Sequence, residues 1–138
     1  MTKYKEKIIE ALQEKEPNKY TPLQQIMLGG IDFWRSYQDM REQNLIGFDK
    51  YAHARANANA TKRGKYGEKT AEFISAFREW NDALKHHCQN PLDLAFDIQA
   101  DINANKYGRE QAKKYPNVPT HELLRKYWVK DETGQVVK

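Results

Sequence analysis

The sequence predicts an all-α fold, an antiparallel bundle of about four principal helices with an extra N-terminal amphipathic helix and an irregular C-terminal segment. Three observations carry this. Apolar residues recur at three- and four-residue intervals through most of the 138 residues. Helix starts are marked twice by a capping residue followed by proline, at Thr21-Pro22 and Asn90-Pro91. Helix ends are marked by glycine and proline at Gly47, Gly64, Pro116 and Pro119.

The first helix is expected over residues 3–15, where Tyr4, Ile8, Ala11 and Leu12 share a face, and Glu16-Pro17 breaks it. Thr21 caps a second helix reaching Ile46. Its apolar stripe is Leu23, Met27, Trp34, Tyr37 and Met40, with Ile26 and Phe33 beside it. Gly29-Gly30 in its middle costs about 2 kcal/mol relative to alanines, which implies close helix packing or a bend. Asp49 is expected to cap a third helix over 50–63. Ala52, Ala54, Ala56, Ala58 and Ala60 alternate there as a strand would, but alanine favours helix over strand. After a turn at Gly64-Lys-Tyr-Gly67, a fourth helix over 68–87 places Phe73, Ile74, Phe77, Trp80 and Leu84 at helical spacing. A fifth over 91–114 carries Leu94, Ile98, Ile102 and Tyr107. Thr120 is expected to cap a short helix to Trp128, and Asp131 to Lys138 reads as a frayed tail. The whole is one domain: an extension over 1–20, a core bundle over 21–115 and a C-terminal segment over 116–138.

Composition narrows the function classes. Charged residues make up 30% of the chain and mean hydropathy is −0.97, so the core has to come from amphipathic helices. A formal net charge of +4 permits anionic partners without demanding them. No nucleic-acid recognition motif is present, so no specific nucleic-acid partner is expected. The lone Cys88 forms no internal disulfide. The charged start Met1-Thr-Lys-Tyr-Lys-Glu-Lys7 has no signal-peptide pattern, so a cytoplasmic location, or export without such a signal, is expected.

Two polar ladders run at i, i+4, i+8: Asp49, His53 and Asn57, then Asp101, Asn105 and Arg109. If their faces meet, they form a hydrogen-bonded network that includes Glu72 and Arg78. Such a network fixes helix register. The competing reading is a catalytic or metal site, but the sequence shows no base–nucleophile pair and no second strong metal ligand beside His53. His86-His87-Cys88 point in different directions on a helix and are poorly placed to chelate one ion. No catalytic residue, metal or cofactor is therefore expected. Leu124-Arg-Lys-Tyr127-Trp-Val-Lys130 fits a proposed cholesterol-contact pattern, but a short amphipathic helix packed back on the bundle is the favoured reading.

Two ungapped blocks carry a family resemblance. Residues 32–79 begin Asp32-Phe-Trp-Arg-Ser-Tyr-Gln-Asp-Met40, continue through Tyr51-Ala-His-Ala-Arg-Ala-Asn57 and Lys62-Arg63-Gly64, and reach Arg78-Glu79. The second block is Ala100-Asp-Ile-Asn-Ala-Asn-Lys-Tyr-Gly-Arg109. Together they resemble the serum amyloid A family. The resemblance implies a helical, non-catalytic protein that binds lipid or another apolar ligand, often as a homo-oligomer. It implies lipid-facing roles for Leu23, Ile26, Met27, Phe33 and Trp34, where the family has clustered phenylalanines. It implies that Arg35, Arg63 and Arg78 contact lipoprotein phosphate, an anionic membrane surface or glycosaminoglycan. The chain departs from the family pattern at Ile31, commonly arginine, and at Lys65-Tyr66, where the family usually has glycine-proline-glycine-glycine. Animal members carry a cleaved secretion signal, and the N-terminal sequence here does not match one. Two points stay open: the first helix covers the apolar face of residues 22–34 or leaves it free, and Arg35, Arg63 and Arg78 meet a polyanion or pair with carboxylates inside the bundle. The second functional reading is an effector or toxin-type interaction domain acting on a membrane or protein partner. The third is an enzyme built on the two polar ladders.

Overall fold

A computed structural model describes residues 3, 20–43, 45, 47–85 and 90–137. The first expected helix, apart from Lys3, and the His86-His87-Cys88 cluster lie outside them. The described chain forms α1 (Pro22–Gln43), α2 (Phe48–Lys62), α3 (Lys65–Lys85), α4 (Pro91–Lys114) and a short α5 (Thr120–Leu123), followed by a 3-10 turn over Arg125–Tyr127. It is an all-α bundle.

Both cap-and-proline starts are used. Thr21 Oγ1 accepts from the Gln24 backbone N–H at 3.2 Å, and Gln24 Oε1 accepts from the Thr21 N–H at 3.1 Å, a reciprocal box that satisfies two donors at the start of α1. Asn90 caps α4 by accepting from the Leu92 N–H at 2.9 Å. Other expected caps are corrected. Asp49 lies inside the first turn of α2, and the residue before the helix is Gly47 at φ +83°. Thr120 is the first residue of α5, its hydroxyl donating to Asn59 Oδ1 instead. Helix α3 begins at Lys65, because Gly64 alone makes the turn.

Helix α2 is the axis of the bundle. Ala52, Ala54, Ala56, Ala58 and Ala60 have no exposed surface, so the alternation that looks like a strand is a helix enclosed on several sides. Alanine permits this because it lets three other helices approach one. Two glycines take the approach to its limit. A Cβ at Gly67 of α3 would lie 2.1 Å from the Ala60 carbonyl oxygen, and one at Gly108 of α4 would lie 2.1 Å from the Ala54 carbonyl oxygen.

Two apolar clusters flank this axis. Phe33, Ala56, Ala60 and Ala71 form one, with Tyr37 and Ile74 against them. Phe48, Tyr51, Ala52, Ala54, Ala104, Leu123 and Leu124 form the other, covered by Met40, Leu45, Tyr107, Tyr127, Trp128, Val129 and Val137. The segment with the cholesterol-contact pattern packs back on the bundle: Leu124 is fully buried, and the Trp128 indole stacks on His121 at 4.7 Å. The tail, expected to fray, is folded through residue 137. Asp131 Oδ1 accepts from the N–H groups of Thr133 and Gln135, Lys130 bridges Val136, and the Val137 N–H donates to the Val129 carbonyl.

Candidate functional site

Three helices contribute to one buried polar network. Asn57 on α2 is its centre. Its amide nitrogen donates to the His53 carbonyl at 2.8 Å and to Asn105 Oδ1 at 3.0 Å. Its amide oxygen accepts from Ser75 Oγ at 3.1 Å and from Arg109 at 2.6 Å. Because Asn57 donates to Asn105 Oδ1, that oxygen is an acceptor, and His53 Nδ1, 3.1 Å away, donates to it. Asn105 Nδ2 in turn faces Glu79 Oε1 at 3.4 Å. His53, Asn57, Ser75, Glu79 and Asn105 are all buried.

A charged cluster lies beside the network and acts on it through charge. Lys50 bridges Asp49, at 3.0 Å, and Asp101, whose carboxylate it also bonds. Burial alone would disfavour both charges of the Lys50–Asp49 pair. Burial is the largest single effect, but hydrogen bonds and charge together outweigh it, from Lys50 on Asp49 and from Asp101 and Asp49 on Lys50, leaving the Asp49 carboxyl below and the Lys50 ammonium above its ordinary range. His53 Nδ1 and Glu79 Oε1 are 3.8 Å apart. Burial pushes His53 below its ordinary pKa, so the ring is held neutral near pH 7. Burial pushes the Glu79 carboxyl up to about 7, with Asp101 and Asp82 adding to the rise and Asn105 and Arg78 opposing it. Glu79 Oε2 has no hydrogen-bond partner.

Of the residues assigned from the sequence to the network, His53, Asn57, Asn105 and Arg109 share its hydrogen bonds, whereas Asp49 and Asp101 bond to Lys50 and reach it only through charge. Glu72 does not enter by hydrogen bond. It is exposed and lines a cavity of about 350 Å³ with Ser75, Glu79, Asn105 and Arg109, acting on Arg109 through its charge. Sequence reasoning missed Ser75 and Glu79 as members. Their signal was the row Gly67, Ala71, Ser75, Glu79 at four-residue spacing, the small and polar face of α3, which is its buried face.

The basic candidates separate. Arg35 is exposed on α1. Arg63 is turned inward onto Asp32, and Arg78 lies over the Tyr37 ring at 3.8 Å with its Nε buried and unpartnered. Of the two readings left open by the sequence, Arg63 takes the internal one by pairing with Asp32, while Arg78 packs on Tyr37 and Met40 rather than on a carboxylate.

The apolar candidates also separate. Phe33 is corrected from lipid-facing to core, with 3% of its surface exposed. Leu23, Ile26, Met27 and Trp34 are exposed on α1. So are Phe73, Phe77, Trp80 and Leu84 on α3, and Leu92 and Phe96 on α4. The buried face of α1 is instead Gln25, Leu28, Gly29, Asp32, Phe33 and Ser36. Helix α3 thus turns small and polar residues into the bundle, α1 buries Leu28 and Phe33 among small and polar ones, and both leave large apolar rows outside. The reason is the spacing around α2, which admits glycine, alanine and serine where it excludes tryptophan.

Comparison with known proteins gives a consistent match. The family profile described as serum amyloid A protein matches residues 20–127. The chain is 43% identical over 102 residues to serum amyloid A protein of Felis catus, covering 71% of this chain and 76% of that one. It is 46% identical over 89 residues to serum amyloid A-1 protein of Homo sapiens, covering 64% of this chain and 66% of that one. It is 42% identical over 95 residues to serum amyloid A protein of Notamacropus eugenii, covering 69% of each.

Proposed function

Since the chain belongs to the serum amyloid A family, we propose that it is a non-enzymatic helical protein that binds lipid surfaces or apolar ligands through the outer rows of α1 and α3. One observation carries this reading: seven large apolar side chains, Leu23, Met27 and Trp34 on α1 and Phe73, Phe77, Trp80 and Leu84 on α3, stand exposed at helical spacing on two helices that pack together. Exposed apolar rows of this kind mark interaction surfaces. The exposed Arg35 sits beside Trp34, so a cation is available where an anionic headgroup would meet the row. Among the described residues no helix is long and apolar enough to cross a bilayer. The mode is therefore adsorption in the interface plane, and the same rows serve self-association when lipid is absent. The comparisons lend no support to the effector reading.

The test is co-sedimentation of the full chain with liposomes of phosphatidylcholine alone and with added phosphatidylserine. The unmodified chain is expected to pellet with both, more strongly with the anionic vesicles. Trp34→Glu combined with Phe77→Glu is expected to reduce pelleting at least tenfold. Equal pelleting of variant and unmodified chain would remove these rows from the function.

A further inference from the structure

Three metal-ligating side chains come together at this network, and one of them keeps a buried oxygen without a partner. One ligand atom each from His53, Glu79 and Asp101 lie within 4.8 Å of one another, on three different helices. Glu79 is the telling member. Only 7% of its surface is exposed, yet Oε2 has no hydrogen-bond partner, so a buried carboxylate oxygen is left open beside an imidazole and a second carboxylate. We propose that His53, Glu79 and Asp101 form a binding site for a divalent cation of the Zn2+ or Mn2+ kind.

The donor set fits that class. One imidazole nitrogen and two carboxylate oxygens suit first-row divalent ions. Ligands about 2.0–2.2 Å from a tetrahedral ion stand roughly 3.3–3.6 Å apart, so atoms now within 4.8 Å of one another draw together by up to about 1.5 Å, within reach of side-chain rotation. His53 is held neutral by burial, the form that can ligate. The ring nitrogen facing Glu79 is Nδ1, whose proton moves to the other ring nitrogen when an ion takes its lone pair. Lys50 can release Asp101 without losing a partner, because it also holds Asp49 at 3.0 Å.

Local charge points the same way. Around the site stand the carboxylates of Asp49, Asp82 and Asp101, and Glu79 once an ion displaces its proton, against the cations of Lys50 and Arg78, while Arg109 is balanced by Glu72. A divalent ion neutralises the remainder. An approach is present as well: a cavity of about 380 Å³ lined by Asp49, Asp82, Asp97 and Asp101, with Lys50 as its one basic residue, opens on the Asp101 side.

The test is calorimetric titration of ZnCl2 and MnCl2 into the full chain carrying His86→Ala, His87→Ala and Cys88→Ala, which removes the other histidine–cysteine cluster. One ion per chain is expected. Glu79→Gln and Asp101→Asn should each weaken binding at least tenfold, and Glu72→Gln should leave it within about twofold. In the same chain without further change, Zn2+ should shift the His53 ring resonances in NMR and leave those of His121 in place, a readout independent of how well the variants fold. No saturable binding up to millimolar ion, or binding that leaves the His53 resonances unmoved, overturns the site.

Discussion

Arg63, at the end of α2, holds Asp32 on α1 in a two-point ion pair. Its Nε donates to Oδ2 and a terminal nitrogen donates to Oδ1, both at 3.0 Å. Asp32 is 4% exposed, and burial raises its carboxyl pKa although Arg63 works against the rise. The arginine is thereby committed to the junction between two helices.

Arg63→Ala is accordingly expected to destabilise the protein by about 3 kcal/mol, because it leaves a buried carboxylate without its partner. Arg35→Ala, at an exposed position, is expected to change stability by less than about 0.5 kcal/mol. Urea denaturation separates the two. A stability change below about 1 kcal/mol for Arg63→Ala would show the pair to be unimportant to the fold.

Gly108→Ala is expected to cost about 3 kcal/mol or more. The added methyl meets the Ala54 backbone carbonyl at 2.1 Å, and a backbone atom cannot swing aside as a side-chain end would. Gly30→Ala on α1 meets nothing within 4 Å and should stabilise the helix by about 1 kcal/mol. Thermal melts of the two variants are expected to move in opposite directions.

Phe33 and Phe77 are expected to respond oppositely to truncation. Phe33→Ala opens the cluster of Ala56, Ala60 and Ala71 and should cost about 3–5 kcal/mol. Phe77→Ala, on a side chain 64% exposed, should cost less than about 1 kcal/mol while weakening liposome binding. Chemical denaturation and liposome pelleting of the same two proteins check both halves.

Glu79 makes stability depend on pH. Its folded pKa of about 7 is raised from an ordinary 4.5, so the folded protein binds the proton more tightly than the unfolded chain does. That contribution is fully present below pH 4.5 and is lost as pH rises through about 7. Buried His53, with its pKa lowered, works the other way over the lower part of this window. Glu79→Gln removes the first effect. In EDTA the variant should therefore gain stability relative to the unmodified chain between pH 5 and pH 8, by up to about 3 kcal/mol. A difference between the two proteins that stays flat with pH would mean that Glu79 does not titrate in this range.

Much of the candidate site was legible residue by residue. The i, i+4, i+8 spacing of His53 with Asn57, and of Asp101 with Asn105 and Arg109, placed each set on one helix face, and those faces do meet. Glu79 and Ser75 were hidden because the same helix carries Phe73, Phe77, Trp80 and Leu84, and an apolar row is ordinarily read as the row that faces the core. Phe33 and Trp34 show the same difficulty at its sharpest: adjacent aromatics, one buried and one exposed, with nothing local to rank them.

What the sequence by itself determined is the helical class and most helix starts and ends, since caps, prolines, glycines and periodicity act over a few residues and need no distant partner. The tertiary structure alone decided which face of each helix turns inward. That outcome depends on how closely α1, α3 and α4 approach α2. Gly67 against Ala60, and Gly108 against Ala54, bring α3 and α4 so close to α2 that the face of α3 turned to it is Gly67, Ala71, Ser75 and Glu79, while Phe73, Phe77, Trp80 and Leu84 stay outside. No local pattern encodes that distance, because it arises between residues far apart in the chain.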